Sequence, residues 1–111
     1  MTRINRKDGT RYLTVDGNRI NDAYGRCLYR LEGNAVYDAH GKRQYYIDRD
    51  LIKYADGLWY LRFDGDIVKD AQGRWVYRIS KDRINNADGT WAYVVDGYLS
   101  REMLMAVIAV L

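Results

Sequence analysis

The chain reads as an all-β repeat protein. About six β-hairpin units of sixteen residues stand in a closed or nearly closed radial arrangement, with a short C-terminal helix on the apolar core face. Three observations predict this. One pattern recurs every sixteen residues without insertion, each unit holds two turn signals, and the repeat ends in an apolar tail after residue 98.

The units begin at Arg3, Arg19, Ala35, Leu51, Ile67 and Arg83. Their second position is always Ile or Val: Ile4, Ile20, Val36, Ile52, Val68 and Ile84. The seventh is always glycine, from Gly9 to Gly89. The eleventh is Leu or Tyr (Leu13, Tyr29, Tyr45, Leu61, Tyr77, Tyr93), and the thirteenth is always apolar, from Val15 to Val95. Residues 3–98 form the repeat domain and residues 99–111 the apolar helix packed on its core.

The first turn signal is Asp-Gly or a variant, as in Asp16-Gly17, Glu32-Gly33 and Asp64-Gly65. Between alternating apolar residues it predicts a two-residue type I′ hairpin. Arg49 and Lys81 replace the glycine in two units, so those turns are expected to be strained or of another type. The second signal, "DAYG", "DAHG", "DAQG" or "NADG", suits a type I turn ending in a left-handed glycine joined to a bulge. Two reversals per unit leave about five residues per strand and argue against a parallel solenoid.

Across the Asp-Gly turn, Leu13 is expected opposite Ile20, Tyr29 opposite Val36, Tyr45 opposite Ile52, Leu61 opposite Val68 and Tyr77 opposite Ile84. That face is the expected core. Pairing of Tyr93 with Ile4 would close the ring and remove its exposed edges, although an open sheet of hairpins fits the pattern too. In "YLSREMLMAVIAVL", Ser100 is placed to cap a helix from Arg101, with Glu102 in its first turn. Met103, Leu104, Val107, Ile108 and Leu111 would then share one side, and such a helix could plug the small apolar centre of a ring of hairpins. The β-branched Val107, Ile108 and Val110 leave a strand as the rival.

Units such as "NRINDAYGRCLYRLEGNAV" and "GDIVKDAQGRWVYRISKDRI" resemble the β-flower repeat proteins, in which short hairpin petals surround an axis and a hydrophobic tail follows. The resemblance covers residues 3–98 and, in kind, the tail. It implies a largely bacterial family without established biochemical activity, and carries over no catalytic residue. This chain departs from it by placing Tyr or Trp where glycine-rich petals are usual.

Composition narrows the function classes. With 111 residues the chain suffices for one domain, and 30% charged residues exclude a membranous composition. A net charge of +3 permits contact with anionic partners without implying it. Cys27 and His40 are the single residues of their types, which rules out an intrachain disulfide and a His/Cys zinc site. They sit at unlike positions of adjacent units and suggest no nucleophilic chemistry. The turn aspartates offer one or two oxygens each, short of a calcium site. No cofactor and no catalytic or metal-ligating residue is expected. The start "MTRINRKDG" is not a secretory signal, the nine apolar residues of "MLMAVIAVL" are too few to span a membrane, and the expected address is the cytoplasm.

The expected function is therefore non-enzymatic: a structural or protein-interaction module, with a protein partner or a homo-oligomer, assembling through its flat faces or its tail. The alternative is carbohydrate or small-ligand binding through an aromatic row. Trp59, Trp75 and Trp91 share the ninth position of consecutive units. With Tyr60, Arg62 and Arg78 they are the candidate ligand-binding residues. Against that reading, strand alternation puts the tryptophans in phase with the core, which predicts core or core-rim packing. Tyr12, Tyr37, Tyr46 and Tyr60 are expected on the opposite face beside Arg30, Arg62 and Arg78. Such interleaving would suit nucleic acid, a third and disfavoured reading at this charge; ordinary cross-strand packing on a solvated face is the favoured account.

Overall fold

The computed structural model describes all 111 residues. Each unit contributes a short strand and a longer one. The short strands are β1 (Thr2–Arg6), β3 (Arg19–Asp22), β5 (Ala35–Asp38), β7 (Leu51–Tyr54), β9 (Ile67–Asp70) and β11 (Arg83–Asn86). The longer ones are β2 (Arg11–Asp16), β4 (Cys27–Glu32), β6 (Arg43–Asp48), β8 (Trp59–Asp64), β10 (Trp75–Ser80) and β12 (Trp91–Asp96). Every strand pairs antiparallel with its sequence neighbours, and β1 pairs with β12, so the sheet closes into a twelve-stranded barrel. Helix α1 (Arg101–Val110) completes the chain. Closure leaves no strand edge unpaired.

The closing register and the hairpin register both differ from expectation by two residues. Ile4 lies opposite Val95 and Arg6 opposite Tyr93. Across the Asp-Gly turn, Val15 rather than Leu13 lies opposite Ile20, and Leu13 faces Asp22. The loop is the reason. Asp16 still pairs with Arg19, so the two free residues are Gly17 and Asn18. Only the first has positive φ, +61° at Gly17, which fits a II′ turn instead of I′. Moving the loop by one residue shifts each pairing by two and keeps the same side chains inside. The loop carbonyls also tie neighbouring hairpins together: the Leu31 amide donates to Asn18 O at 2.8 Å, and Ile47 to Asn34 O at 2.7 Å. Arg49 and Lys81, the two residues standing in for glycine, keep the left-handed backbone at φ 56° and 57°.

The second turn is as read from its residues. The Gly25 amide donates to Asp22 O at 3.1 Å, and the Asp22 amide to Arg26 O at 2.8 Å. Gly25 is left-handed at φ +89°. The Asp22 carboxylate closes the loop by accepting from the amides of Tyr24 and Arg26, both at 2.9 Å.

A further bulge follows in every unit, and periodicity does not signal it. Asn5 pairs with Arg11 while the adjacent Ile4 pairs with Leu13, leaving Tyr12 extra. The equivalent extra residues are Leu28, Gln44, Tyr60, Val76 and Ala92, each at the tenth position. Two residues then oppose one, and the alternation of faces is reset.

The second-position residues Ile4, Ile20, Val36, Ile52, Val68 and Ile84 are fully buried and line the inside of the ring. Helix α1 fills it. Met105, Ala106, Val107, Ile108 and Ala109 are all at most 2% exposed, and five successive residues cover more than one full turn. The helix is therefore enclosed on all sides and does not lie along one face. Leu104 and Leu111, expected among its apolar side, are only partly buried. Its ten residues rise about 15 Å, close to the 18 Å thickness of the molecule. Ser100 caps it, accepting from the Met103 amide at 3.1 Å. No helix is long and apolar enough to cross a membrane.

Candidate functional site: aromatic clefts at one rim

The tenth-position bulge decides where the aromatic residues go. It sets the ninth residue opposite the outward-facing third residue: Trp59 opposite Lys53, Trp75 opposite Lys69, Trp91 opposite Asn85. The three tryptophans are thus 53%, 47% and 45% exposed, against the expectation of core or core-rim packing. Alternate strands of a sheet stand about 10 Å apart, so the indoles form a spaced outer row.

The same bulge carries Tyr12 and Tyr60 inward, where both pack against the core, against the expectation that they lie outside. Tyr12 stacks on Tyr93 with centroids 5.6 Å apart. Tyr60 stacks on Tyr45 at 5.4 Å and on Tyr54 at 4.7 Å. Tyr37 does lie opposite Arg30, whereas the arginine over the Tyr46 ring is Arg43, at 4.3 Å. The tyrosine phenols crowd one another. Burial, and then neighbouring Tyr60, Tyr29 and Tyr54, push the Tyr45 hydroxyl up to about 12. Burial likewise raises Tyr60, Tyr77 and Tyr93.

Two clefts open where the outer row meets this tyrosine rim. One, of about 330 Å³, is lined by Tyr54, Trp59, Tyr60, Leu61, Asp70, Ala71, Gln72, Val76 and Tyr77. The other, of about 370 Å³, is lined by Arg6, Lys7, Asp8, Tyr77, Asn86, Trp91, Ala92 and Tyr93. Tyr77 borders both. Trp59 and Tyr60 therefore meet in one cleft and Trp91 stands in the other. Trp75, Arg62 and Arg78 lie outside both. Arg78 sits 5.6 Å from the Trp75 ring and borders a separate surface recess with Asp66 and Asn85. Arg62 is exposed between Leu51 and Lys69. The Arg83 guanidinium lies 3.6 Å from the Trp91 ring centre and fixes that indole in place.

The carboxylates in the clefts are committed locally. Hydrogen bonds from the Thr10 amide (2.9 Å) and hydroxyl (2.7 Å) hold Asp8 below the usual carboxylate range. Desolvation opposes ionisation of Asp70, but hydrogen bonds from the Arg74 and Gln72 amides outweigh it. His40 is exposed in a turn, its amide donating to Asp38, while Cys27 lies half-buried opposite Asn21. The residues that residue patterning missed are Arg6, Tyr54, Tyr77, Ala92 and Tyr93. Ala92 had a visible mark: it is the smallest residue at its repeat position.

No family model, no curated protein and no solved structure matches this chain.

Proposed function

We propose that the protein is a non-enzymatic repeat module that binds a carbohydrate at the aromatic clefts of its rim. One observation carries this reading: Trp59 and Trp91 are each about half exposed and each borders a cleft that also holds tyrosines. An indole held at a cleft edge offers a flat apolar face, while Asn86, Gln72 and tyrosine hydroxyls supply hydrogen bonds, which is the mix a sugar ring needs. Burial of residues 105–109 supports binding at the rim over assembly through the apolar tail; assembly through the flat faces is the second reading. The ring of hairpins around an axial helix also supports the β-flower resemblance.

The test is titration of the full chain with a panel of neutral and acidic oligosaccharides, followed by tryptophan emission and its quenching by iodide. Binding should shield the indoles from iodide. Trp59→Ala and Trp91→Ala should each cost about tenfold in affinity at their own cleft, or about 1.4 kcal/mol. If no saccharide alters emission or quenching, the reading is wrong.

A further inference from the structure

Six equivalent clefts are possible in a sixfold ring, and one is distinguished by its chemistry. At the tenth position the bulged side chain turns into the rim. It is Tyr, Leu, Gln, Tyr and Val in the first five units, and Ala92 in the sixth. Ala92 lines a cleft of about 370 Å³ with Trp91 and Tyr93, and the corresponding cleft of the fourth unit, with Tyr60 at the tenth position, still holds about 330 Å³, so the sixth-unit cleft is set apart by its charge and not by its size. Either volume falls at the small end of ligand cavities, enough for about one or two sugar rings.

This cleft is also the one next to the ring seam, where the first unit meets the sixth. The seam brings in Arg6 and Lys7. Neither forms an ion pair with a carboxylate. Arg6 rests over the Tyr12 ring at 4.7 Å, which orients its guanidinium without neutralising it. The single acid of the cleft, Asp8, is held ionised by Thr10 and lies close enough to Arg6 to feel its charge, so two cations face one carboxylate and the cleft keeps a net positive charge. The neighbouring Trp59 cleft holds no cation among its lining residues and includes Asp70.

We infer that the Ala92 cleft selects an acidic saccharide, with a sugar ring against Trp91, Tyr77 and Tyr93 and its carboxylate held by Arg6 and Lys7. This rests on the saccharide-binding reading above and adds the ligand's charge and its place. Asn86 supplies a side-chain amide for ring hydroxyls. The Arg6 fork suits a carboxylate in two-point contact, and Lys7 adds a second positive charge.

The experiment compares a short oligosaccharide of uronic acid units with its carboxyl-reduced neutral counterpart, so that the two probes differ only in the carboxylate. The full chain should bind the uronate at least tenfold more tightly at low salt, with the advantage shrinking as salt rises. Trp91→Ala should weaken uronate binding about tenfold and leave neutral binding at the Trp59 cleft. If that variant is unfolded by thermal melt, Trp91→Leu serves in its place. The double change Arg6→Gln and Lys7→Gln should bring the two probes to equal affinity. Equal binding of both probes by the unmodified chain would overturn this inference alone, as would full uronate affinity in a folded Trp91→Ala or Trp91→Leu protein. Failure of both probes to bind would remove the saccharide reading as well.

Discussion

Tyr60 and Tyr45 stack face to face, with ring centroids 5.4 Å apart and planes 18° from parallel. They occupy the tenth and eleventh positions of neighbouring units, positions that strict alternation would send to opposite faces of a sheet. The bulge at Tyr60 is what allows the contact. It creates an inward aromatic rim, and the same reset leaves the tryptophans outside.

This rim makes stability sensitive to alkali. The Tyr45 hydroxyl is raised to about 12 in the folded protein by burial and by neighbouring tyrosines, from about 10 for a free tyrosine. An unfolded chain loses that proton first, so between these values it binds fewer protons than the folded one. The stability contribution is complete below the unfolded value and is lost as pH rises through the window toward 12. Chemical denaturation across that window should show a steady fall in stability, accompanied by late tyrosinate absorbance. Tyr45→Phe should flatten part of the fall. An unchanged slope would mean that Tyr45 titrates like a free phenol.

Arg49 and Lys81 occupy left-handed positions where four units carry glycine. A side chain there costs about 1–2 kcal/mol, partly offset by the greater freedom of glycine in the unfolded chain. Arg49→Gly and Lys81→Gly should each stabilise the protein by about 0.5–1 kcal/mol, read as a rise in denaturation midpoint with unchanged slope. A loss of stability in both would show that these side chains make contacts worth more than the strain.

Gly73 tests the other turn. Its φ is +84° and a Cβ there would meet no atom within 4 Å. The penalty of Gly73→Val is thus conformational and not a clash. It should exceed a typical surface change, at about 1–2 kcal/mol. A melting temperature that does not move would refute the left-handed assignment.

Gly97 guards the seam and the entry of the tail. At φ +122° its Cβ would lie 2.8 Å from Thr2 Oγ1 and 3.2 Å from Thr2 Cα. The Thr2 hydroxyl donates to Tyr98 O at 2.6 Å in the same place. Gly97→Ala should cost about 2 kcal/mol or more, since backbone must move. The loss should appear first as faster amide exchange along β1 and β12. Uniform exchange across the ring would mean that the seam is not its weak point.

The axial helix is the largest single element of the core. Ile108 is fully buried within the ring, and Ile108→Ala should cost about 2–5 kcal/mol. Against a total of about 5–15 kcal/mol, that is enough to threaten folding. A chain ending after Tyr98 should melt lower and expose apolar surface, seen as concentration-dependent light scattering. A truncated chain that stays folded while an oligomer dissociates would instead make the tail an assembly element.

The repeat length, the number of units, the location of the second turn, the left-handed glycines and the Ser100 cap were all legible in the residues, because each is set within a few positions of chain. Register was less so. Whether the loop is Asp16-Gly17 or Gly17-Asn18 turns on the φ of one residue, and both choices keep Leu13, Val15 and Ile20 on one face. The candidate site was half legible. Trp59, Trp91 and Tyr60 stood out by position, whereas Tyr77, Tyr93, Arg6 and Ala92 reach the clefts only through strand neighbours and ring closure.

By itself the sequence determined that six hairpins would form and that an apolar segment would follow them, since turn chemistry and local periodicity act over less than one unit. Only the tertiary structure decided which aromatic residues face water, that β1 meets β12, and that the helix stands inside the ring. Those outcomes depend on a bulge that reverses side-chain direction and on contacts between residues up to 96 positions apart, such as Thr2 with Tyr98. Long-range pairing of this kind is favoured only once the whole ring can share one core.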